Sequence, residues 1–302
     1  MKPKQSIPKH LRYTLQTFIA EFPDNDSCLD WLKDQRWPEG VIPCEKCGKD
    51  RKHHRVTGRP AYACDYCGSM ISPMAGTIFE KSSTSLRTWF YAMYLMSATR
   101  CGISAKQIQR ETGVTYKTAW RMFKQIRTLM SENVSLEGSA VEMDESYFGG
   151  FRRGGRPGRA AGTSGEKSIV IGAVERGGKV VALVSTDATK ATLHGIAKEY
   201  ILPDSIVYTD HYPAYMGLDK INGYQPRRIN HTAGVYVVGD THTQTIEGFW
   251  SLVKRGIGGV YHSVSKKYLQ TYLNEYSFRY NRRNSGQPMF TSLLEQVSAK
   301  AE

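Results

Sequence analysis

Four of the six cysteines stand in two C-x2-C pairs whose spacing is typical of a metal site. The pairs are Cys44 with Cys47 and Cys64 with Cys67, which gives the motif C-x2-C-x16-C-x2-C. Each pair can form a tight knuckle, and the spacer allows a hairpin that brings the second knuckle opposite the first. Because four thiolates close a tetrahedral shell, the pattern predicts structural zinc. Disulfides and a redox C-x-x-C fit less well, and one of the two spacer histidines is an alternative ligand.

Three acidic residues in the second half of the chain could hold a different metal. Asp144 lies in the segment SAVEMDESYF, Asp210 ends the segment IVYTD, and Glu247 falls near the start of a predicted helix. Carboxylates that meet in a cleft of low dielectric repel one another unless a divalent cation neutralises them. Hard oxygen ligands favour Mg²⁺ or Mn²⁺, and two such ions could activate a nucleophile and stabilise the leaving oxygen of a phosphodiester.

The elements around these acids follow the order of a ribonuclease-H-like sheet. SAVEMDESYF predicts a first strand, and the apolar runs SIVIGAVE and KVVALVST predict a hairpin. A helix over 189–200, the strand IVYTD, a possible strand in RRINHT and a helix beginning near residue 243 or 245 follow. The predicted fold class is therefore α/β, with a mixed sheet and flanking helices. Asp210 then lies at the carboxyl end of the fourth strand, where open α/β sheets place their sites, although a strand-end aspartate is also a common turn former.

The first strand alternates in a way that sorts its side chains. Val141 and Met143 share one face, and Glu142 and Asp144 share the other, with Glu145 beyond them. Glu142 and Glu145 are therefore alternatives to Asp144 as the acidic site residue of this strand. The alternatives to Glu247 as the third acid of the site are Asp187, Asp204, Asp240 and Glu275.

Cations also surround the predicted acidic site. Lys254 follows Glu247 by seven residues, almost two helical turns, so both lie on one helix face, and Arg255 is next to Lys254. These cations could bind DNA phosphates beside the metals. A last helix is predicted from Lys267 to Arg283, with its tyrosines in the core and its arginines available for DNA.

The segment SAKQIQRETGVTYKTAWRMFKQIR resembles a helix-turn-helix. Ser104 can cap the first helix, Gly113 can supply the turn, and Thr115 can cap the second helix. That second helix carries Lys117 and Arg121 outward, where they could reach DNA in a major groove. A plain helical hairpin, with both cations on a solvated face, is the alternative.

Charge and composition support a polyanionic partner. The 302 residues include 41 Lys+Arg against 28 Asp+Glu, a formal charge of +13, which favours nucleic acid. The arginine- and glycine-rich stretch 149–159 predicts a DNA-tracking loop, with Arg152 and Arg153 as contacts; a solvated insertion without a role is the alternative. No apolar run approaches the roughly 20 residues of a membrane helix, and the first residues lack the apolar core of a signal peptide. A cytoplasmic, nucleoid-associated protein without a membrane partner is expected.

Several segments together resemble the zinc-ribbon DDE transposases of bacterial insertion sequences over nearly the whole chain. They are EFPDNDSCLDWLKDQRWPEG, the four-cysteine ribbon, VEMDESYFGG, VYTDHYPAY and TQTIEGFWSLVKRGIGGVYHSVSKKYLQTYLNEYSFRYNRR. The resemblance implies that Asp144 in D-E-x-Y-x-G-G is the first catalytic acid, Asp210 in T-D-x-Y the second, and Glu247 the third, with Lys254 as its basic companion. It also implies Gln244 as a substrate contact. The implied activity is metal-dependent cleavage at the ends of a mobile element, followed by joining of the 3′-hydroxyls to target DNA.

These observations divide the chain into five segments. We expect an N-terminal helical segment at 1–40, a zinc ribbon at 41–72 and a helix-turn-helix-like DNA-binding domain at 80–132. The ribonuclease-H-like catalytic domain is expected at 137–260, and a C-terminal helical segment at 261–302. The expected partners are double-stranded DNA and further copies of the chain.

Two other functions remain open on the sequence. The first is a catalytically silent, transposase-derived regulator that binds DNA through its zinc ribbon and helix-turn-helix. The second is a structure-selective nuclease or resolvase on the same fold. The presence of all three acids, Asp144, Asp210 and Glu247, favours an active transposase.

Overall fold

A computed structural model describes residues 11–99, 101–149, 167–229 and 243–299, and these form two compact units. The first unit contains the described residues up to Met130 and those from Ser285 onward; the second runs from Ser131 to Asn284. The boundary at Ser285 falls inside the segment predicted at 261–302. In the described part of the chain, no helix is long and apolar enough to cross a membrane.

The first unit is built mainly from helices. They are α1 (Leu15–Glu21), α2 (Asn25–Arg36), α3 (Leu86–Ala98), α4 (Ala105–Thr112), α5 (Tyr116–Leu129) and α9 (Met289–Ala299). Thr14 and Asp24 begin α1 and α2 with capping boxes that satisfy amides of the first turn. Aromatic side chains fill the core, as in the edge-to-face pair of Phe22 and Phe90, whose ring centroids lie 5.0 Å apart.

The predicted ribbon is a small antiparallel sheet within the first unit. Its strands, in spatial order, are β1 (Val41–Cys44), β2 (Lys49–Arg55), β3 (Tyr62–Cys64) and β4 (Met70–Ile71). Gly48 and Gly68 have φ angles of +66° and +69°, and their amides donate to the carbonyls of Cys44 and Cys64. Glycine adopts this left-handed conformation without steric cost, so each knuckle can close tightly behind its cysteine pair.

The second unit is a five-stranded mixed sheet with helices. Its elements are β5 (Ala140–Phe148), β6 (Ser168–Glu175), β7 (Val180–Ser185), α6 (Lys190–Tyr200), β8 (Ile206–Asp210), β9 (Gln225–Ile229), α7 (Gln244–Gly256) and α8 (Lys266–Asn281). The strand order is β7-β6-β5-β8-β9. The β5–β6 and β6–β7 pairs are antiparallel, whereas the β5–β8 and β8–β9 pairs are parallel. This arrangement confirms the predicted ribonuclease-H-like α/β fold class.

Two separate cores lie on the two faces of this sheet. Val141 and Met143 of β5 join the core that contains Leu193 and Ala197 of α6. The opposite core is formed by β6, β7, α7 and α8 and includes Val170, Phe249 and Leu273. The alternation predicted for the first strand is therefore confirmed, because the face of Glu142 and Asp144 is the face that α7 covers.

The clearest differences from the predicted elements are at the fifth strand and at the C-terminal helices. The fifth strand begins at Gln225, two residues before the segment RRINHT. The helix predicted from Lys267 to Arg283 ends at Asn281. A further helix, α9, follows it and packs in the first unit, and the prediction that α8 is the last helix was wrong.

Candidate active site and zinc centre

The four cysteine thiols converge as a tetrahedral metal site requires. Their sulfur atoms all lie within 4.8 Å of one another, with Cys44 Sγ 3.6 Å from Cys67 Sγ and Cys47 Sγ 4.0 Å from Cys64 Sγ. Zinc–sulfur bonds of about 2.3 Å in a tetrahedron put sulfurs about 3.8 Å apart, so these distances fit zinc. The spacer histidines, His53 and His54, lie outside this group.

Metal binding at the four thiols is coupled to the release of protons. The neighbouring thiols, Cys67 first among them, together with burial raise the pKa of Cys47 to about 12. Without a metal the thiol therefore stays protonated, and a divalent cation that binds must displace protons from the cluster. The donor set consists of soft sulfur ligands, which Zn²⁺ accepts and Mg²⁺ does not.

We expect about one zinc ion per chain, lost when Cys44 and Cys64 are both replaced by serine. A ribbon of this size has little core of its own, so metal binding contributes directly to its folding. Metal analysis of the purified protein measures the zinc, and protease sensitivity of residues 41–72 measures the folding of the ribbon. Replacement of Cys28, a buried thiol outside the cluster, should leave the zinc content unchanged. Retention of zinc in the double variant would contradict the assignment.

Asp144 and Asp210 lie on neighbouring strands at the same end of the sheet. The parallel register pairs Val141 with Val207 and Glu142 with Tyr208, and the same offset places Asp144 beside Asp210. Burial, the charge of Glu145 and the charge of Asp210 together raise the pKa of Asp144 to about 7. The charge of Asp210 is therefore close enough to oppose the ionisation of Asp144, which is the condition that a divalent cation relieves.

Contacts within the site orient the two aspartates. The indole Nε1 of Trp250, on α7, donates to Oδ2 of Asp144 at 3.1 Å. The backbone amide of Tyr212 donates to Oδ1 of Asp210 at 2.9 Å. On the other side of β5, the buried Tyr215 hydroxyl donates to Oε2 of Glu145 at 3.2 Å, so this acid is held on the opposite face from Asp144. The contact of Trp250 with Asp144 was not predicted from the sequence. The only signal for Trp250 is its position three residues after Glu247.

Space for Trp250 comes from a glycine in the adjacent strand. Gly172 of β6 is the register partner of Asp144, and a Cβ placed on it would lie 2.5 Å from the Trp250 ring. Such a distance is far below van der Waals contact, so any larger residue must push the indole away. The glycine thus allows the ring to lie across β6 and reach the carboxylate.

Replacing Gly172 by alanine should lower the free energy of unfolding by about 2 kcal/mol, because the indole and helix must shift. The matched control is Gly195→Ala in α6, where a Cβ would meet nothing within 4 Å and alanine should be neutral or stabilising. Urea unfolding of both variants measures the difference. Equal effects of the two substitutions would show that the Trp250 contact is not rigid.

Glu247 occupies the first turn of α7 and is exposed. Its Oε1 accepts a hydrogen bond from the Thr243 hydroxyl at 3.0 Å. Among the residues that the structure describes, only the four cysteines converge as a compact group of three or more possible ligands. The structure thus brings Asp144 and Asp210 together and places Glu247 on the helix whose Trp250 contacts Asp144. The role of Glu247 stays a prediction.

The acids that compete for the third place have structural partners elsewhere. Asp187 accepts from the Thr189 amide at 2.9 Å and the Thr192 hydroxyl at 2.6 Å at the start of α6. Glu275 is fully buried and forms an ion pair of 2.9 Å with Arg279. Asp204 lies in a turn with a φ of +62°. Asp240 lies outside the described residues.

The predicted basic companions are on the solvent side of α7. Lys254 and Arg255 are exposed, and Lys254 Nζ lies 5.8 Å from the ring centroid of Phe148, the last residue of β5. Lys254 is therefore near the strand end that follows Asp144. Arg255 Nε donates to the Ser251 carbonyl of its own helix at 3.2 Å. Arg152 and Arg153 lie outside the described residues.

Two helices joined at a glycine lie in the first unit where the helix-turn-helix was predicted. The amide of Gln107 donates to Ser104 Oγ, the amide of Thr118 donates to Thr115 Oγ1, and Gly113 ends α4 with a φ of +73°. Lys117 and Arg121 are exposed on α5. The caps and the turn glycine predicted from sequence are therefore formed, while DNA contact by the two cations stays a prediction.

Two family models match the chain. A transposase zinc-ribbon domain matches residues 23–70, and an ISXO2-like transposase domain matches residues 135–281. A protein described as uncharacterized in transposable element ISH50 of Halobacterium salinarum is 30% identical over 299 residues, which cover 93% of this chain and 98% of that protein. An uncharacterized transposase-like protein of Haemophilus influenzae is 33% identical over 119 residues, which cover 39% of this chain and 93% of that protein.

Two solved assemblies are more distantly similar. A chain of the simian T-cell lymphotropic virus intasome in complex with PP2A regulatory subunit B56 gamma has a TM-score of 0.29 and 14% identity, covering 62% of this chain and 65% of that one. A chain of a pre-cleavage Mos1 transpososome has a TM-score of 0.27 and 10% identity, covering 70% and 79%. The sequence matches, not these structures, define the family. The chain belongs to the zinc-ribbon transposases of insertion sequences that carry an ISXO2-like transposase domain.

Proposed function

We propose that this transposase uses divalent metal ions, held by Asp144, Asp210 and Glu247, to cleave phosphodiester bonds at the ends of an insertion sequence. The freed 3′-hydroxyls are then joined to target DNA. The observation that carries the proposal is the pair of Asp144 and Asp210 on adjacent strands, where burial and the charges of Glu145 and Asp210 raise the pKa of Asp144 to about 7. A partly buried pair of hard oxygen ligands fits Mg²⁺ or Mn²⁺.

The predicted metal ligands and the basic residues near them have separate roles in this proposal. The bound ions would activate the attacking oxygen and stabilise the leaving one. Asp144 and Asp210 would be the rigidly held ligands of the ions, because both are on strands. Glu247 would be the ligand from helix α7. Lys254, exposed near the end of β5, would bind a phosphate of the cleaved strand, and Arg255 a neighbouring phosphate.

DNA recognition belongs to other parts of the chain in this proposal. Lys117 and Arg121 on the exposed face of α5 would contact the terminal repeats, and Arg152 and Arg153 would track the backbone. Zinc would hold the ribbon in its folded form without taking part in the chemistry. Pairing of two element ends calls for more than one copy of the chain, so we propose a homo-oligomer on DNA. The setting is cytoplasmic and nucleoid-associated.

An assay with labelled element ends, target DNA and Mg²⁺ or Mn²⁺ tests the proposal. The wild-type chain should bind the ends without added Mg²⁺ or Mn²⁺ and should cleave and join them when either metal is added. Binding without any cleavage or joining would instead identify a DNA-binding regulator derived from a transposase. Cleavage without joining, directed by DNA structure rather than by the end sequence, would identify a nuclease.

A further inference from the structure

The carboxylate of Glu142 is fully buried and has a partner for each of its lone pairs. Oε2 accepts from the backbone amides of Thr245 at 2.8 Å and Ile246 at 3.0 Å. Oε1 accepts from the Thr245 hydroxyl and from Arg176 Nε, both at 2.9 Å. A carboxylate has about four acceptor sites, so Glu142 has none left for a metal ion. It is therefore not one of the metal ligands, although it stands two residues before Asp144 on the same strand face.

These contacts place Glu142 at the start of another element, helix α7. The first amides of a helix need acceptors, and the N-cap side chain normally supplies one. Thr243, the N-cap of α7, makes no such bond. Glu142, on β5, replaces the N-cap side chain. It accepts hydrogen bonds from the amides of the second and third residues of α7. Bonds from amides to a charged acceptor are stronger than those between neutral groups, and the negative charge suits the positive end of the helix dipole.

A second contact between the same strand and helix lies further along α7. Trp250 donates to Asp144, and its ring occupies the space left by Gly172. Residues 245, 246 and 250 of α7 are thus tied to residues 142 and 144 of β5. Glu247 lies between these two attachments, within about 6 Å of helix rise, so its backbone has little freedom to move relative to Asp144.

We propose that Glu142 is a positioning residue that, with Trp250 as the second attachment, sets the place of Glu247 relative to Asp144. The inference rests on the proposed function, since it concerns where the third metal ligand is held. Glu142 touches neither substrate nor metal; it acts through the first turn of α7. A glutamate on the first strand thereby links the position of one predicted ligand to that of another over 100 residues away in sequence.

The test is a double-mutant cycle in which Mn²⁺ affinity is measured without DNA. Glu142→Gln keeps the shape of the side chain but replaces one acceptor oxygen with a donor, so the amides of α7 lose part of their anchor. We expect a 10- to 100-fold loss of Mn²⁺ affinity, the usual order for a residue that orients a ligand. In a Glu247→Gln background, the same change should have little further effect, because the ligand that it positions is already gone.

The matched control is Glu175→Gln on the neighbouring strand β6. Glu175 is also buried, and it accepts amides from Gly138 and Lys179, each at 2.8 Å, but it does not bond to α7. Glu175→Gln should lower the unfolding temperature without changing Mn²⁺ affinity.

If Glu142→Gln does not fold, Thr245→Val is the test variant in its place. It removes only the hydrogen bond from the Thr245 hydroxyl to Glu142 and should weaken Mn²⁺ binding about fivefold.

Each outcome decides a separate question. Equal losses of Mn²⁺ affinity from Glu142→Gln in the wild-type and Glu247→Gln backgrounds would overturn the inference, and so would a folded Glu142→Gln chain with wild-type affinity. If the wild-type chain shows no Mn²⁺ binding that depends on Asp144, the proposed function itself fails. End-DNA binding without added Mg²⁺ or Mn²⁺ should stay unchanged in every variant, since none alters the predicted helix-turn-helix.

Discussion

Replacing Asp144 by asparagine should abolish end cleavage and joining, with a rate loss of at least about 10³-fold. Asparagine keeps the shape of the side chain and one oxygen for the Trp250 indole, but it lacks the charge that would hold a divalent ion between Asp144 and Asp210. Metal ions contribute several kcal/mol to phosphodiester chemistry, and each 1.36 kcal/mol is about tenfold in rate. The measurement is single-turnover cleavage of labelled element ends in Mg²⁺ and in Mn²⁺.

The control for this loss is an acid of the same unit that lies on its surface. Asp219 is exposed in a short helical turn, and Asp219→Asn should leave the rate within about twofold of the wild type. Asp210→Asn should behave as Asp144→Asn does. All three variants should bind element ends normally without added Mg²⁺ or Mn²⁺. An Asp144→Asn enzyme that still joins ends within tenfold of the wild-type rate would refute the assignment of Asp144 as a metal ligand.

Local sequence signals were sufficient for the zinc ribbon and for the first strand. The spacing of the four cysteines predicted their convergence, since a knuckle is a short-range structure that two cysteines and a following glycine specify. The alternation of Val141, Glu142, Met143 and Asp144 predicted which residues face each side of the sheet, because the side-chain period of a strand is two. The caps of the helix-turn-helix were likewise local.

The contacts that shape the active site were not predictable, because they join distant parts of the chain. Glu142 appeared only as a competing acid, and nothing near it in sequence shows that its partners are the amides of residues 245 and 246. Gly172 carries no turn signal; its meaning comes from the Trp250 ring packed against it. The exposure of Glu247 depends on how α7 is rotated on the sheet, which periodicity alone does not determine.

In the proposed function, the burial of Asp144 sets metal binding against the stability of the metal-free protein. Asp144 is largely buried beside Glu145 and Asp210, an arrangement that disfavours the charged form needed to bind a cation. Without a bound cation, the folded protein must accommodate the uncompensated charge of the ionised Asp144 carboxylate. The carboxylate that would serve catalysis is thus one that weakens the metal-free protein, as is common where an active site conflicts with packing.

Asp144→Asn should therefore make the metal-free protein more stable at pH 8, by on the order of 2 to 4 kcal/mol. In the unfolded chain the carboxyl titrates near its ordinary pKa of 3.8, whereas in the folded chain its pKa is about 7. Between these values the folded state keeps a proton that the unfolded state has released. The wild-type fold consequently loses stability as the pH rises from 4 to 7, and the loss persists above pH 7, whereas the asparagine variant has no such group.

Urea unfolding without added Mg²⁺ or Mn²⁺, performed on both proteins from pH 4 to pH 8, measures this difference. The gap between variant and wild type should be close to zero at pH 4 and should reach its full size by pH 8. Adding Mn²⁺ at pH 8 should narrow it, because an ion that binds only the folded wild-type chain stabilises that chain alone. A gap that is the same at pH 4 and pH 8 would mean that asparagine acts through packing, and that the charge of Asp144 does not strain the fold.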